Sequence, residues 1–491
     1  MRWKTPRARP WPGVRVLRSP SARLNRLTRA VHIAHGAPEV WRGSQNLTMW
    51  RGFPTEVDRR WAVVSVGALA PFTHVRAKAD RSQSTPHHRR LGRRWAASPS
   101  SFGLNEGVSI APTEEAPTLL AAQAVVTPND VFSPGWVRIN EGEIGEVGSG
   151  LAPVADPPDP RPGYLIPGFV DQHCHGGGGA GFEGDQADIA VASAAQLRGG
   201  TTSLVGSMVS ADPRHLLTQA AELAAACDAG ILVGIHLEGP WLSPPRRGAH
   251  DERNLRNPTI MELQAVLAAG RGNIKMITLA PELPGALEAI TECVRAGVVA
   301  AIGHTDADYA QTQAAIAAGA TVATHLFNAM PPMLHRAPGP VAALMNDPSV
   351  YLELIVDGVH VQPGAIQIAR QAATDRVVLV TDAMAAAAAH DGHYRLGSLD
   401  VDVVDGVARV SDSGAIAGST LTMAAAVRNY VEIGGATVAQ AARSAATVPA
   451  QLIQLSDRGS LAPGLRADIC HLGPDLELRG VWQAGIPIPV V

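Results

Sequence analysis

Lysine is nearly missing from this chain of 491 residues, which holds only Lys4, Lys78 and Lys275. Nothing in it approaches 18 consecutive apolar residues, so no membrane-spanning helix is expected. Cys174, Cys227, Cys293 and Cys470 are too few and too scattered for a disulfide framework, which fits a reducing, cytoplasmic setting. The charge that is present is divided unevenly. Residues 1–100 hold 18 Arg and 2 Lys against 2 Glu and 2 Asp, a net of +16, together with six of the nine Trp. The remaining 391 residues carry 21 basic and 40 acidic side chains, and this net of −19 restores the formal total of −3. Lacking a basic patch with interleaved aromatics, the acidic part is not expected to bind nucleic acid.

Residues 1–115 show no sustained period of 2 or 3.6 and are broken by Pro, Gly, Ser and Arg clusters, as at Pro86-His87-His88-Arg89-Arg90. This pattern reads as a disordered, Arg-rich extension. Arg59-Arg60 before the apolar run Trp61–Ala70 has the outline of an export signal, and a basic tail can also bind nucleic acid. The run is short, distant from Met1 and preceded by Glu56 and Asp58, so a translation start placed too far upstream is the preferred reading.

From residue 164 a unit repeats: a short β-branched run, a polar or Gly-rich loop, then an Ala/Leu-rich helical stretch. The eight runs are Tyr164–His173, Thr202–Met208, Ile231–Glu238, Ile274–Pro281, Val298–His304, Thr321–Asn328, Tyr351–Asp357 and Val377–Asp382. Their first and last ends lie 209 residues apart over seven steps, about 30 per step, the size of a βαβ unit. Helical stretches such as Asp212–Ala229, Pro258–Ala269 and Asp306–Ala318 stop at Gly230, Gly270 and Gly319. Eight such alternations predict an α/β fold, a (β/α)8 TIM barrel over 164–392, finished by helices within 413–459. Residues 116–163, 393–412 and 460–491 read instead as short strands with turns, three parts of a small β-sandwich built from both chain ends.

Barrel enzymes build their sites at the carboxyl ends of the strands. Here the runs end on Asp171-Gln172-His173-Cys174-His175, His236-Leu237-Glu238, Gly303-His304-Thr305-Asp306, Thr324-His325, Asp357-Gly358-Val359-His360 and Thr381-Asp382. One such His is most simply a packed core side chain; six polar ends on one rim indicate a metal-dependent hydrolytic site. His173 and His175 share one side of an extended segment, whereas Cys174 points away and reads as a packed thiol. Glu238, His304 and His325 come from three strands, and three ligands with an open position are the usual catalytic zinc arrangement. Asp382 follows a wholly apolar run, where it could also serve as an N-cap. Lys275, the sole barrel lysine, begins its strand on the wrong face to bridge two metals, which leaves Glu238 as the bridging carboxylate.

The blocks Pro167–Gly177, His236–Trp241, Arg247–His250, Gly303–Thr305, Thr324–Pro332, Asp357–His360, Thr381–Met384 and Gly418–Met423 resemble those of the N-acetylglucosamine-6-phosphate deacetylases, in the amidohydrolase superfamily. The resemblance spans about residues 118–480. It implies removal of the N-acetyl group from N-acetylglucosamine 6-phosphate to give glucosamine 6-phosphate and acetate. It further implies that Glu238, His304 and His325 hold the principal divalent metal, zinc before iron or manganese. His173 and His175 mark the two-metal kind, with one or two ions per subunit. Asp382 then acts as catalytic acid/base and His360 as oxyanion donor. Ala249, His250, Asn328, Ala329, Arg336, His360, Ala417 and Gly418 form the substrate pocket, with Arg336 reaching the phosphate in the neighbouring subunit of a homodimer. The competing readings are an amidohydrolase acting on a cyclic amide or an N-acyl amino acid, and a non-catalytic binding barrel. Deleting residues 1–115 should leave solubility and catalytic rate unchanged, which purification and assay of the shortened chain will check.

Overall fold

The computed structural model describes residues 118–490; the Arg-rich extension, with the expectation of disorder, lies outside the described residues. The predicted barrel is present. Its strands are Phe169–Cys174 (β1), Thr201–Met208 (β2), Gly234–Glu238 (β3), Ile274–Leu279 (β4), Val299–Ile302 (β5), Val322–Ala323 (β6), Tyr351–Ile355 (β7) and Val377–Val380 (β8). They pair in parallel and in chain order. The ring is completed at the rim, where Asp382 N–H donates to His173 O at 2.8 Å and His175 N–H to Ala383 O at 2.7 Å.

Local chemistry accounts for the alternation. The β-branched runs bury both faces, as a parallel sheet under helices requires, and Val377, Val378, Leu379 and Val380 are all fully buried. Each crossover is short because its helix starts sharply. Asp212 accepts from the Arg214 and His215 N–H groups at 3.0 and 3.1 Å, and Asp308 and Gln311 form a capping box before Tyr309–Ala317. Helix Met423–Glu432 packs on β8, and a π-helical turn, Arg443–Thr447, lies against both β1 and β8, covering the closing seam.

The two chain ends share one eight-stranded sheet, in which Arg161–Pro167 pairs antiparallel with Ile469–Leu472. The sheet curls, since Ile144 N–H donates to Leu465 O and Gly464 N–H to Ile144 O, and it encloses Val125, Val137, Ile139, Ile144, Leu165 and Trp482. Two expectations need correction. The predicted first barrel run, Tyr164–His173, is two strands broken at Gly168; residues 161–167 belong to the end-built sheet, so the barrel starts at Phe169 and not at residue 164. Gly168 permits the break because a Cβ there would meet Thr202 Oγ1 at 2.4 Å. Residues 393–412 do not join the end-built sheet. Strands Gly392–Leu396, Leu399–Val404 and Val407–Val410 form a separate meander whose apolar side packs on Val209 and Met384 beside the barrel mouth. Among the described residues no helix is long and apolar enough to cross a membrane.

Gly200, before β2, has φ +94°, and a Cβ there would lie 2.7 Å from the Phe169 ring. Gly200→Ala should therefore lower the unfolding free energy by about 1–3 kcal/mol through strain and overpacking, read as a lower urea midpoint.

Candidate metal centre

Six side chains from five strand ends converge on one point of the rim. Glu238, closing β3, lies at the centre. Its Oε1 is 3.1 Å from His304 Nε2 and 3.0 Å from His325 Nε2, and its Oε2 is 3.2 Å from His175 Nε2. Asp382 Oδ1, after β8, lies 3.4 Å from His173 Nε2 and 3.3 Å from His175 Nε2. The donor atoms fall into two groups, His173, His175, Glu238 and Asp382, and Glu238, His304 and His325, each within 4.8 Å and formed by buried residues. Glu238 belongs to both groups.

The donor chemistry fits divalent cations. His304 Nδ1 is 2.8 Å from the Arg246 carbonyl, an acceptor only, so Nδ1 carries the ring proton and a neutral His304 turns a bare Nε2 toward Glu238. A lone pair facing a carboxylate at this distance repels it unless a positive charge lies between. The same holds for His173, whose Nδ1 is 3.2 Å from Glu353 Oε2. His304 Nε2 and His325 Nε2 also face each other at 3.0 Å. The field has the matching sign. Burial disfavours a charged His173, yet Glu238 and Asp382 override it and raise this imidazole well above its ordinary pKa.

Backbone strain is concentrated here. Of the twelve non-glycine residues with positive φ among the described residues, five are His304, His325, Phe327, Ala329 and Asp382. Such conformations cost of order 1–3 kcal/mol each and persist where surrounding structure enforces them. Around Asp382 that structure is visible: Ser419 N–H donates to Asp382 O at 2.7 Å, and a Cβ on Gly418 would approach the same oxygen to 2.8 Å.

Above the ligands opens a cavity of about 320 Å³. Its walls include Ala249, His250, Asn328, Ala329, His360 and Gly418, as expected for a substrate pocket. Ser210 N–H points at His250 Nδ1 from 3.3 Å, which leaves the proton on Nε2, 3.4 Å from Glu238 Oε2; burial pushes the His250 pKa down to about 4, so the ring is a neutral donor. Asp357 accepts the Val359 and His360 N–H groups at 2.8 Å and faces His360 Nδ1 at 2.6 Å. Burial opposes charge on His360, but Asp357 raises its pKa, which favours a proton on this ring.

Two expected pocket residues stand elsewhere. Ala417 is buried under the meander, behind Gly418. Arg336 is exposed beside the Leu334–Ala337 turn and does not line the cavity. Three functional groups escaped sequence reasoning. Glu353, fully buried in β7, holds His173 and accepts from Gln172 Nε2 at 2.7 Å; its signal was a carboxylate in the apolar run Tyr351–Ile355. His236 supports His173 from below, ring centroids 4.5 Å apart, and is held by Ser207 and Thr278. Arg246 acts on His304 through its carbonyl, for which side-chain patterns give no signal.

The chain is similar to known proteins over most of its length. The solved N-acetyl-D-glucosamine-6-phosphate deacetylase of Mycobacterium smegmatis, in complex with N-acetyl-D-glucosamine-6-phosphate, is 46% identical, with 76% of this chain and 100% of that one covered and a TM-score of 0.74. The N-acetylgalactosamine-6-phosphate deacetylase of Escherichia coli O157:H7 is 35% identical over 75% of this chain and 98% of its own. The N-acetylglucosamine-6-phosphate deacetylase of Danio rerio is 37% identical over 65% and 83%. The model of the amidohydrolase family matches residues 164–491. With its strand-end histidines and carboxylates gathered into a site for divalent metal, the chain belongs to the amidohydrolase family.

Proposed function

We propose that this protein hydrolyses the acetamide of N-acetylglucosamine 6-phosphate, releasing acetate and glucosamine 6-phosphate. The observation that carries this reading is the opening of a carboxylate-bridged histidine cage, with Asp382 at its edge, into a cavity walled by Asn328, Ala329, His250 and His360. Glu238, His304 and His325 hold the principal ion, and His173 and His175 with Glu238 and Asp382 can hold a second. Nitrogen and oxygen donors with an open position suit zinc, and also accommodate iron or manganese. The bound ion supplies Lewis acidity, which acidifies water and polarises a carbonyl.

The chain's own groups do the rest. Asp382 takes a proton from the attacking water and returns it to the departing nitrogen, without which an amine leaves poorly. Its carboxyl is held down to about 2, where burial acts against the charge and His173 and His175 outweigh it, so it is ionised and ready to accept. His360, kept protonated by Asp357, donates to the developing oxyanion. His250 lines the same cavity and, as a neutral Nε2–H donor, orients the substrate. Ala249 and the Gly418 loop close its flanks.

Arg336 reads the phosphate from the neighbouring subunit of a homodimer. Its exposure, and that of Met333 (53%) and Leu334 (55%) beside it, support an interface at this turn. The four cysteines remain unpaired, in keeping with a cytoplasmic enzyme. A second substrate is favoured by the Escherichia coli relative, whose name specifies the C4 epimer, N-acetylgalactosamine 6-phosphate.

Acetate release from both phosphorylated sugars by metal-loaded protein tests the reading; release from neither would refute it. Chelation should abolish the activity and added zinc restore it. Asp382→Asn should retain substrate binding while lowering kcat by at least ~10²–10⁴-fold, the usual worth of a proton-transfer group, measured by steady-state kinetics. Arg336→Ala should raise KM for the phosphorylated sugar more than for N-acetylglucosamine, and the wild-type protein should sediment as a dimer.

A further inference from the structure

Arg246 is the sole arginine or lysine among the described residues that line the cavity, where a phosphate would draw on positive charge. We infer that Arg246 reads the substrate phosphate in cis, and that Asp306 holds its guanidinium in place until the phosphate arrives. The inference rests on the deacetylase reading above.

The position of Arg246 is fixed by its backbone. It ends the turn Pro244–Arg246, where two prolines restrict φ, and its N–H donates to Ser243 O at 2.9 Å. Ser243 N–H donates in turn to His304 O at 2.9 Å, and the Arg246 carbonyl accepts from His304 Nδ1 at 2.8 Å. The turn is thus fastened to a metal-ligand residue at both its ends. The side chain leaves it toward the loop after β5, where Nε donates to Asp306 Oδ1 at 2.8 Å. That loop is rigid as well: Glu282 accepts from Thr305 Oγ1 and Asp306 N–H, both at 2.6 Å. Thr305 N–H donates to Ala329 O at 3.2 Å, which ties the Arg246–Asp306 pair to the Asn328-Ala329 wall.

The pair is only half-buried, with 32% and 46% of the two side chains exposed. An exposed ion pair of this kind contributes little to stability, so its partners exchange readily. A phosphate dianion offers the guanidinium more charge and more acceptor oxygens than Asp306 does. Arg246 therefore differs from Arg336 in that it belongs to the subunit whose metal centre it serves.

The two partners of the ion pair give the test. If the pair were merely structural, Arg246→Gln and Asp306→Asn would have the same effect. If Arg246 reads phosphate, they act in opposite directions. Arg246→Gln should raise KM for N-acetylglucosamine 6-phosphate about 10–100-fold, with a much smaller change for N-acetylglucosamine, and should weaken competitive inhibition by inorganic phosphate. Arg246→Lys should recover part of the loss. Asp306→Asn should leave that KM unchanged or lower it. Matching losses in the two variants, or equal effects of Arg246→Gln on both sugars, would overturn the inference. Metal content and thermal midpoint of each variant separate a folding defect from a binding one. Inactivity of the wild-type protein on any amino-sugar phosphate would instead overturn the reading on which the inference rests.

Discussion

A carboxylate buried at the mouth of a barrel has to be met by positive charge, and the layout of this rim follows from that requirement at Glu238. Five imidazoles lie within 3.5 Å of that side chain, those of His173, His175, His250, His304 and His325, and a divalent cation held among their lone pairs would supply the charge. No single strand can deliver them. The ends of β1, β3, β5, β6 and β8 have to reach the same height, and the chain leaves extended geometry at once beyond β5, β6 and β8. This explains why His304, His325 and Asp382 each have positive φ. The strain at these turns is the cost of aiming side chains from separate strands at one carboxylate.

Aim alone does not make a ligand, because an imidazole offers a lone pair only from the ring nitrogen that lacks a proton. An outer layer decides which nitrogen that is. Glu353 does so for His173, and the Arg246 carbonyl for His304. Ser210 reverses the outcome at His250, leaving Nε2–H as a donor rather than a ligand. On the proposed reading, groups one step further out divide chemically identical side chains into metal ligands and substrate donors.

The barrel and the histidine–carboxylate cluster at its rim were legible because strand ends can be read from short apolar runs and these side chains sit where those runs stop. His173, Glu238, His304, His325 and Asp382 all occupy such ends. Partnership between strands was not legible. Nothing local distinguishes Gly168 as a break between two sheets, or says that residues 392–410 pair only among themselves, since these are decided by contacts between distant segments such as Tyr164 with Leu472. Glu353 lay within reach of pattern reading, because strand alternation puts it on the opposite face from Leu352 and Leu354. The role of the Arg246 backbone did not, for a carbonyl carries no residue signature.

Among the described residues Asp382 forms its ion pairs with His173 and His175 and none with an arginine, which has a physical reason. A guanidinium close to Asp382 would stabilise its ionised form further and make it a weaker base in a step that requires it to take a proton. That carboxyl is already held down by His173 and His175 against the effect of burial. The cationic charge for a phosphate has to be available to substrate without reaching Asp382. An arginine on the outer wall satisfies this when its own charge is offset by a neighbouring carboxylate, as Asp306 offsets Arg246.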